Sequence, residues 1–243
     1  MNSKDLQNDW LYALDVFRKI LPKYSANMRT FITLGLLFGF ASEITGFVFS
    51  TFNLPNSSFV LLISLLLTCW VSIATISAAS RVYGNKPVNL MQCFQDARGI
   101  FWQYIVVYIL ASMAIAFGLV ALVAPGVFFL VIFCFAEIFV VLEKQQWPES
   151  GKLNLPKAFK KSVTLVQGSF FKVFFYLLLF FPIIFLQVIL AQFFIEKSLQ
   201  LTKVVLIFIN IFIRPFYIYA RVELYYELKK LSRRKPMNDG GNI

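Results

Sequence analysis

Glu43, Glu137 and Arg214 each stand inside a run of apolar residues long enough to cross a bilayer. A charged side chain at the middle of such a run costs roughly 2.5 to 3.5 kcal/mol on insertion scales. Residues kept at that cost do one of two things: they form a buried ion pair that fixes which helices meet, or they line a polar path for an ion or a solute. Arg214 falls near the middle of its run. Glu43 matches it best in depth, at about 4 to 5 Å along the membrane normal against about 7 to 8 Å for Glu137, so Arg214 with Glu43 is the expected pair. A second group, Lys157, Lys160 and Lys161 around Phe159, lies on a short segment with helical periodicity. A basic helix of this kind lies in the headgroup plane or packs against the ends of its own bundle, and the same residues can take up anionic lipid or a protein partner.

The groups that most catalysis requires are missing. The chain has no histidine, so no imidazole base is available to activate a serine or a thiol. Cys69, Cys93 and Cys134 are too scattered for metal-ligand spacing or a disulfide framework and read as small packing residues. No glycine-rich phosphate loop occurs. Ser64, Ser72, Ser77 and Ser80 sit in one apolar run, where a hydroxyl ordinarily bonds to its own helix backbone. The expectation is a non-enzymatic protein that needs no metal or cofactor.

The elements that must carry these residues are membrane helices. Of the 243 residues 59% are hydrophobic, 29 are Phe and only 14% are charged, and the mean hydropathy is +0.72. Six runs reach spanning length: Thr30 to Thr51, Ser58 to Ser80, Phe101 to Val123, Gly126 to Leu142, Phe171 to Ile195 and Val204 to Leu224. They lack the inside–outside alternation of a barrel, so the expected class is all-α, a polytopic bundle of six transmembrane helices in three hairpins.

The net charge of +11 is distributed unevenly. Five Lys and Arg precede the first span, three follow the second, six follow the fourth and six begin at Arg221. The first and third connections carry none, which by the positive-inside rule puts both termini in the cytoplasm. Topology and anionic headgroups account for the excess, and no nucleic-acid partner is needed. The first 28 residues lack the apolar core of a secretory signal, so the first span is expected to be a retained anchor. Asn56-Ser57-Ser58 matches a glycosylation acceptor on the outer side. Residues 1–231 read as one membrane domain, and 232–243 as a mobile tail.

A unit of amphipathic helix, span out and span back occurs three times, over 4–80, 88–142 and 154–224. The apolar stripes are Leu6, Trp10, Leu14, Phe17 and Leu21; then Leu90, Phe94, Ala97 and Phe101, capped by Asn89; then Leu155, Phe159, Val163 and Val166, capped by Asn154 with Pro156 in the first turn. Gly35, Gly39, Ser42 and Gly46 share one face of the first span and mark a close helix approach. Pro125-Gly126 is expected to form the tight turn between spans three and four. Pro182 and Pro215 can kink their helices and free carbonyls. Trp102, Tyr104, Tyr217, Tyr219, Tyr225 and Tyr226 are expected as interfacial anchors.

From about Ser77 onward this ordered set resembles a known family. It comprises Pro125-Gly126, then Glu143, then Ala158, Ser162, Leu165 and Gly168 as A-x-x-x-S-x-x-L-x-x-G, then Pro215 and the stretch from Arg221 to Tyr225-Tyr226-Glu227-Leu228-Lys229. It resembles the membrane domain that accompanies some bacterial glycerophosphodiester phosphodiesterases, together with the free-standing inner-membrane relatives of that domain. The resemblance implies six spans and a cytoplasmic-membrane location. It does not imply catalysis, which in that family belongs to a separate soluble domain. Two departures are a lengthened segment from Gln145 to Leu155 and Lys229 where relatives often carry arginine. The expected function is a non-catalytic inner-membrane module that meets lipids, or a membrane-protein partner, through its basic helices. The other reading is a transporter of a small solute, ion or lipid along a path near Glu43, Glu137 and Arg214.

Overall fold

The computed structural model describes residues 3–52, 57–143, 155–182 and 199–234, and the secondary structure of the described residues is entirely helical. In chain order the helices are α1 (Ser3–Ala26), α2 (Met28–Phe52), α3 (Ser57–Tyr83), α4 (Leu90–Arg98), α5 (Phe101–Ala121), α6 (Val123–Phe133), α7 (Ala136–Leu142), α8 (Leu155–Val166), α9 (Phe170–Leu178) and α10 (Leu199–Arg234). Three stretches of the described residues, Leu62–Tyr83, Phe101–Ala121 and Val123–Leu142, are long and apolar enough to cross a membrane, and Met28–Ala41 is a shorter apolar helix. The first three coincide with expected spans two, three and four. Residues 183–198, which include the end of the expected fifth span, and residues 235–243 of the expected tail lie outside the described residues, as do Asn56 and Asn154.

α2 packs between α3 and α10, and its glycines explain how closely. Pro215 has no N–H to give the Ile211 carbonyl four residues earlier, and Gly35 lies against that carbonyl, where a Cβ would collide with it. The neighbouring Phe212 carbonyl accepts a hydrogen bond from Tyr24 at 3.4 Å. Gly39 faces Ile207 and Ile211 one turn on, with ordinary contact distances from 3.4 Å. The two helices are therefore antiparallel, in a register that sets position 43 opposite position 203. Glu43 thus stands about 16 Å along the axis from the Cα level of Arg214. The side chains at Glu43 and Gly46 lie outside the described residues.

The hairpin of α5 and α6 turns at a single residue, Leu122, in extended conformation (φ −167°, ψ 149°). This corrects the expected turn at Pro125-Gly126. Pro125 sits inside the first turn of α6, where no intrahelical donor is lost. Gly126 serves the packing: a Cβ on Gly118 would meet its Cα at 2.9 Å. α5 exposes Trp102, Phe117 and Val120 at 71%, 69% and 86%, an apolar surface that needs lipid rather than water as its solvent.

The short helices pack in a register different from the expected one. α1 lies on α9 and α10 and buries Ala13, Val16 and Ile20, while Trp10 and Leu21 are exposed. α4, capped by a bond from the Met91 amide to Asn89 at 3.0 Å, buries Cys93 and Ala97 against α3. α8 lies on α6 and α7 through Ala158, Ser162 and Val166, with Val163 exposed. Each buried stripe includes a small residue, which lets a short helix seat closely on a long one. The larger apolar residues flank the contact. Gly168, with φ +80°, turns α8 into α9.

These contacts predict opposite outcomes for two glycines one turn apart. Gly35→Ala forces α2 away from α10 and should cost about 1 to 3 kcal/mol. Gly39→Ala should be neutral or stabilise by up to about 1 kcal/mol. Thermal midpoints of the purified variants in one detergent check both.

Candidate functional site

Two groups of polar side chains stand out, one within the apolar bundle and one at the end that carries α8. The first is built around Arg221. Its side chain is only 12% exposed, and a guanidinium nitrogen lies 3.5 Å from Glu137, itself 15% exposed. Arg221 also donates to the carbonyl of Cys134. That carbonyl belongs to Cys134-Phe135, the two residues that interrupt the helix between α6 and α7. On the other side of the same break, Ser162 of α8 donates to the carbonyl of Ile132. No proline is present at this position. Side chains from two other helices thus meet the carbonyls of Ile132 and Cys134 where the backbone ladder is interrupted. Tyr104 of α5 donates to Glu137 at 3.2 Å, so α5, α7 and α10 meet at one carboxylate.

This arrangement differs from the expected one. Glu137 is paired with Arg221, a residue that reads from sequence as the start of the terminal basic segment. Arg214 lies two turns away on the same face of α10, its guanidinium 5.0 Å from the centre of the Phe38 ring. Glu137, Arg214 and Arg221, with Thr68, Ser72 and Tyr104, line a cavity of about 170 Å³ between α3, α5, α7 and α10. Tyr104, Tyr219 and Tyr225 are buried rather than interfacial, because each phenol finds a use inside. Tyr104 holds Glu137, and Tyr219 donates to Glu223 at 3.4 Å. Trp102 keeps the exposed position expected of an anchor.

The serines of α3 divide. Ser72 bonds to the Thr68 carbonyl at 2.8 Å, as expected of a hydroxyl in a helix. Ser77 reaches Asp96 of α4 at 3.1 Å, and Ser80 shares a 2.7 Å hydrogen bond with Tyr226 of α10. Arg81 also reaches Asp96, at 3.2 Å, which fastens α4 to α3. Lys23 at the end of α1 meets the buried Glu223 at 2.8 Å. All three cysteines are buried, and burial pushes the Cys93 thiol above its ordinary pKa.

The second group is a groove of about 400 Å³ lined by Lys157, Lys160 and Lys161 of α8 and Lys229 of α10, with Phe139 and Leu165 among its apolar walls. Glu143, buried at the end of α7, is ion-paired with Lys161. Desolvation first, and then the Lys229 ammonium, press Lys161 below the ordinary lysine pKa. Lys229 donates to the Tyr225 hydroxyl at 3.1 Å. Phe159 is on another face of α8, edge-on to Phe133 with centroids 5.1 Å apart. The structure therefore gathers the three expected lysines, adds Lys229 to them, and separates Phe159 from the cluster.

No family model, curated protein or solved structure matches the chain.

A thermodynamic cycle tests the Arg221 centre. Arg221→Met leaves Glu137 buried and unpaired and should cost about 3 to 5 kcal/mol. Adding Glu137→Leu should recover at least half of that loss, because the lone carboxylate is then gone. Midpoints of denaturation for the two single variants and the double variant measure the coupling.

Proposed function

We propose that this chain is a non-catalytic integral protein of the bacterial inner membrane, with six spans in three hairpins and both termini cytoplasmic, that binds anionic lipid through its lysine groove. The observation that carries this reading is the convergence of Lys157, Lys160, Lys161 and Lys229, from two separate helices, on one groove with apolar walls. A phosphate-bearing headgroup matches the ammonium groups, and Phe139 and Leu165 offer apolar surface beside them.

Three further observations support it. The Lys and Arg residues concentrate on alternate connections, and α8 and the end of α10 belong to that basic set. α1 and α8 divide their surfaces three ways, into a buried stripe, an exposed apolar flank (Trp10 and Leu21; Val163) and a charged side, as a helix lying at the membrane surface requires. The absence of histidine from the composition favours binding over catalysis. A membrane-protein partner that uses the same basic helices would fit the α8 flank and would be recovered together with the protein.

Each lysine near an anionic surface contributes about 1 kcal/mol, so neutralising three of them should weaken retention of anionic lipid roughly a hundredfold. The protein, extracted in mild detergent, is exchanged against mixed phosphatidylglycerol and phosphatidylethanolamine, and the retained lipid is counted by native mass spectrometry. The Lys157→Gln, Lys160→Gln, Lys161→Gln variant should lose phosphatidylglycerol and keep phosphatidylethanolamine. Equal phosphatidylglycerol retention by wild type and variant would exclude the groove as the lipid site.

A further inference from the structure

The cavity around Arg221 is not used by the reading above, and its charge is unbalanced. Two guanidiniums, Arg214 and Arg221, and one carboxylate, Glu137, line it. Glu137 is matched by Arg221 at 3.5 Å, which leaves the charge of Arg214 without a counter-charge among the described lining residues. The Nε–H of Arg221 is buried and has no hydrogen-bond partner. An isolated guanidinium and an unmet donor are both costly in an apolar bundle. A group that only accepts hydrogen bonds and carries negative charge would relieve both costs together.

The same helices enclose another chamber beyond the first. A second cavity, of about 490 Å³, is lined by Ser77, Ser80, Arg81 and Lys86 of the α3 end, by Asp96 of α4 and by Tyr226 of α10, among others. Ile76 of α3 and Ile138 of α7 belong to the inner cavity, and Ser80 and Val141, about one turn further along the same helices, belong to the outer one. One helical turn, about 5.4 Å, therefore separates the two chambers, and the layer between them is formed by buried Ile76, Ile138 and Val141. The outer chamber has Arg81 and Lys86 against Asp96, so its excess is also positive.

We infer that the inner chamber is a binding site for a small inorganic anion, reached from the cytoplasmic end through the outer chamber, with Arg214 and Arg221 as its ligands. The volume of about 170 Å³ holds roughly six waters and is below the range of about 300 to 1,000 Å³ typical of pockets for larger organic ligands. The ligand is accordingly of the size of chloride or inorganic phosphate, not a nucleotide or a lipid headgroup. The apolar layer of Ile76, Ile138 and Val141 stands between the two chambers, which favours an anion that can shed part of its water.

The test uses the full chain in detergent at constant ionic strength, with potassium gluconate replaced stepwise by potassium chloride or potassium phosphate. Gluconate is the control for ionic strength because it is too large for the chamber. Binding to the folded state alone raises the thermal midpoint saturably. The wild type should show such a rise with at least one of the two anions. Arg214→Gln should abolish it, and Arg214→Lys should retain it. Thr68→Leu, which fills the chamber without removing a charge, should abolish it as well, so the test survives if Arg214→Gln fails to fold. The Lys157→Gln, Lys160→Gln, Lys161→Gln variant should keep the full shift, which separates this site from the lysine groove. The inference is overturned if chloride and phosphate act no differently from gluconate on the wild type, if Arg214→Gln or Thr68→Leu keeps the shift, or if the groove variant loses it.

Discussion

The guanidinium of Arg221 is the point on which the bundle is organised. It pairs with Glu137 on α7, donates to the Cys134 carbonyl at the break between α6 and α7, and belongs to α10. In an apolar medium each of these partners is costly if left alone: a carboxylate by several kcal/mol and an open carbonyl by a few. Supplying them from one side chain ties the expected fourth span to the sixth at a defined depth. Tyr104 then draws α5 into the same cluster. Ser162 closes the other side of the break, so α8 is held against the bundle by a backbone acceptor that exists only because the helix is interrupted.

A second consequence follows at the end of the bundle. Once Ala158, Ser162 and Val166 are committed to the contact with α6 and α7, the helical period leaves Lys157, Lys160 and Lys161 on one side of α8 and Val163 on the other. Glu143, fixed by burial at the end of α7, takes Lys161. Lys229 arrives from α10, two turns beyond Arg221. The interaction that joins α7 to α10 inside the bundle thus also sets the two walls of the groove outside it. Groove and inner chamber are both products of one helix packing, although their ligands are distinct.

The helical class was legible because apolar runs of spanning length, without alternation, leave a chain in lipid no other structure. The close approach at Gly35 and Gly39 was legible for a related reason, since glycines at helical spacing form a face with no other use. The partner of Glu137 was not. Arg221 is the first of the six Lys and Arg that end the chain, and a charge count assigns such a residue to water. Only the depth of the α6–α7 break, which no residue type announces, places it inside. The short-helix stripes are legible only in part, with Ala97 and Val166 buried as the periodicity expects, for the opposite reason. Periodicity weights large apolar residues, whereas close packing of one helix on another selects alanine, serine and cysteine, so the buried face is offset from the most hydrophobic one. Residue type alone points Tyr104 and Tyr219 to the interface, whereas the internal acceptors Glu137 and Glu223 draw them inside.

The claim that Arg221 holds the interrupted helix is tested most directly by the carbonyl ¹³C resonance of Cys134, labelled selectively in the full chain and observed by solid-state NMR in lipid. Replacing Arg221 with Met should move that resonance and leave the Ile132 carbonyl, held by Ser162, where it is. Replacing Ser162 with Ala should do the reverse. A Cys134 carbonyl indifferent to Arg221→Met would contradict the account, since the break between α6 and α7 would then stand without the side chain assigned to it.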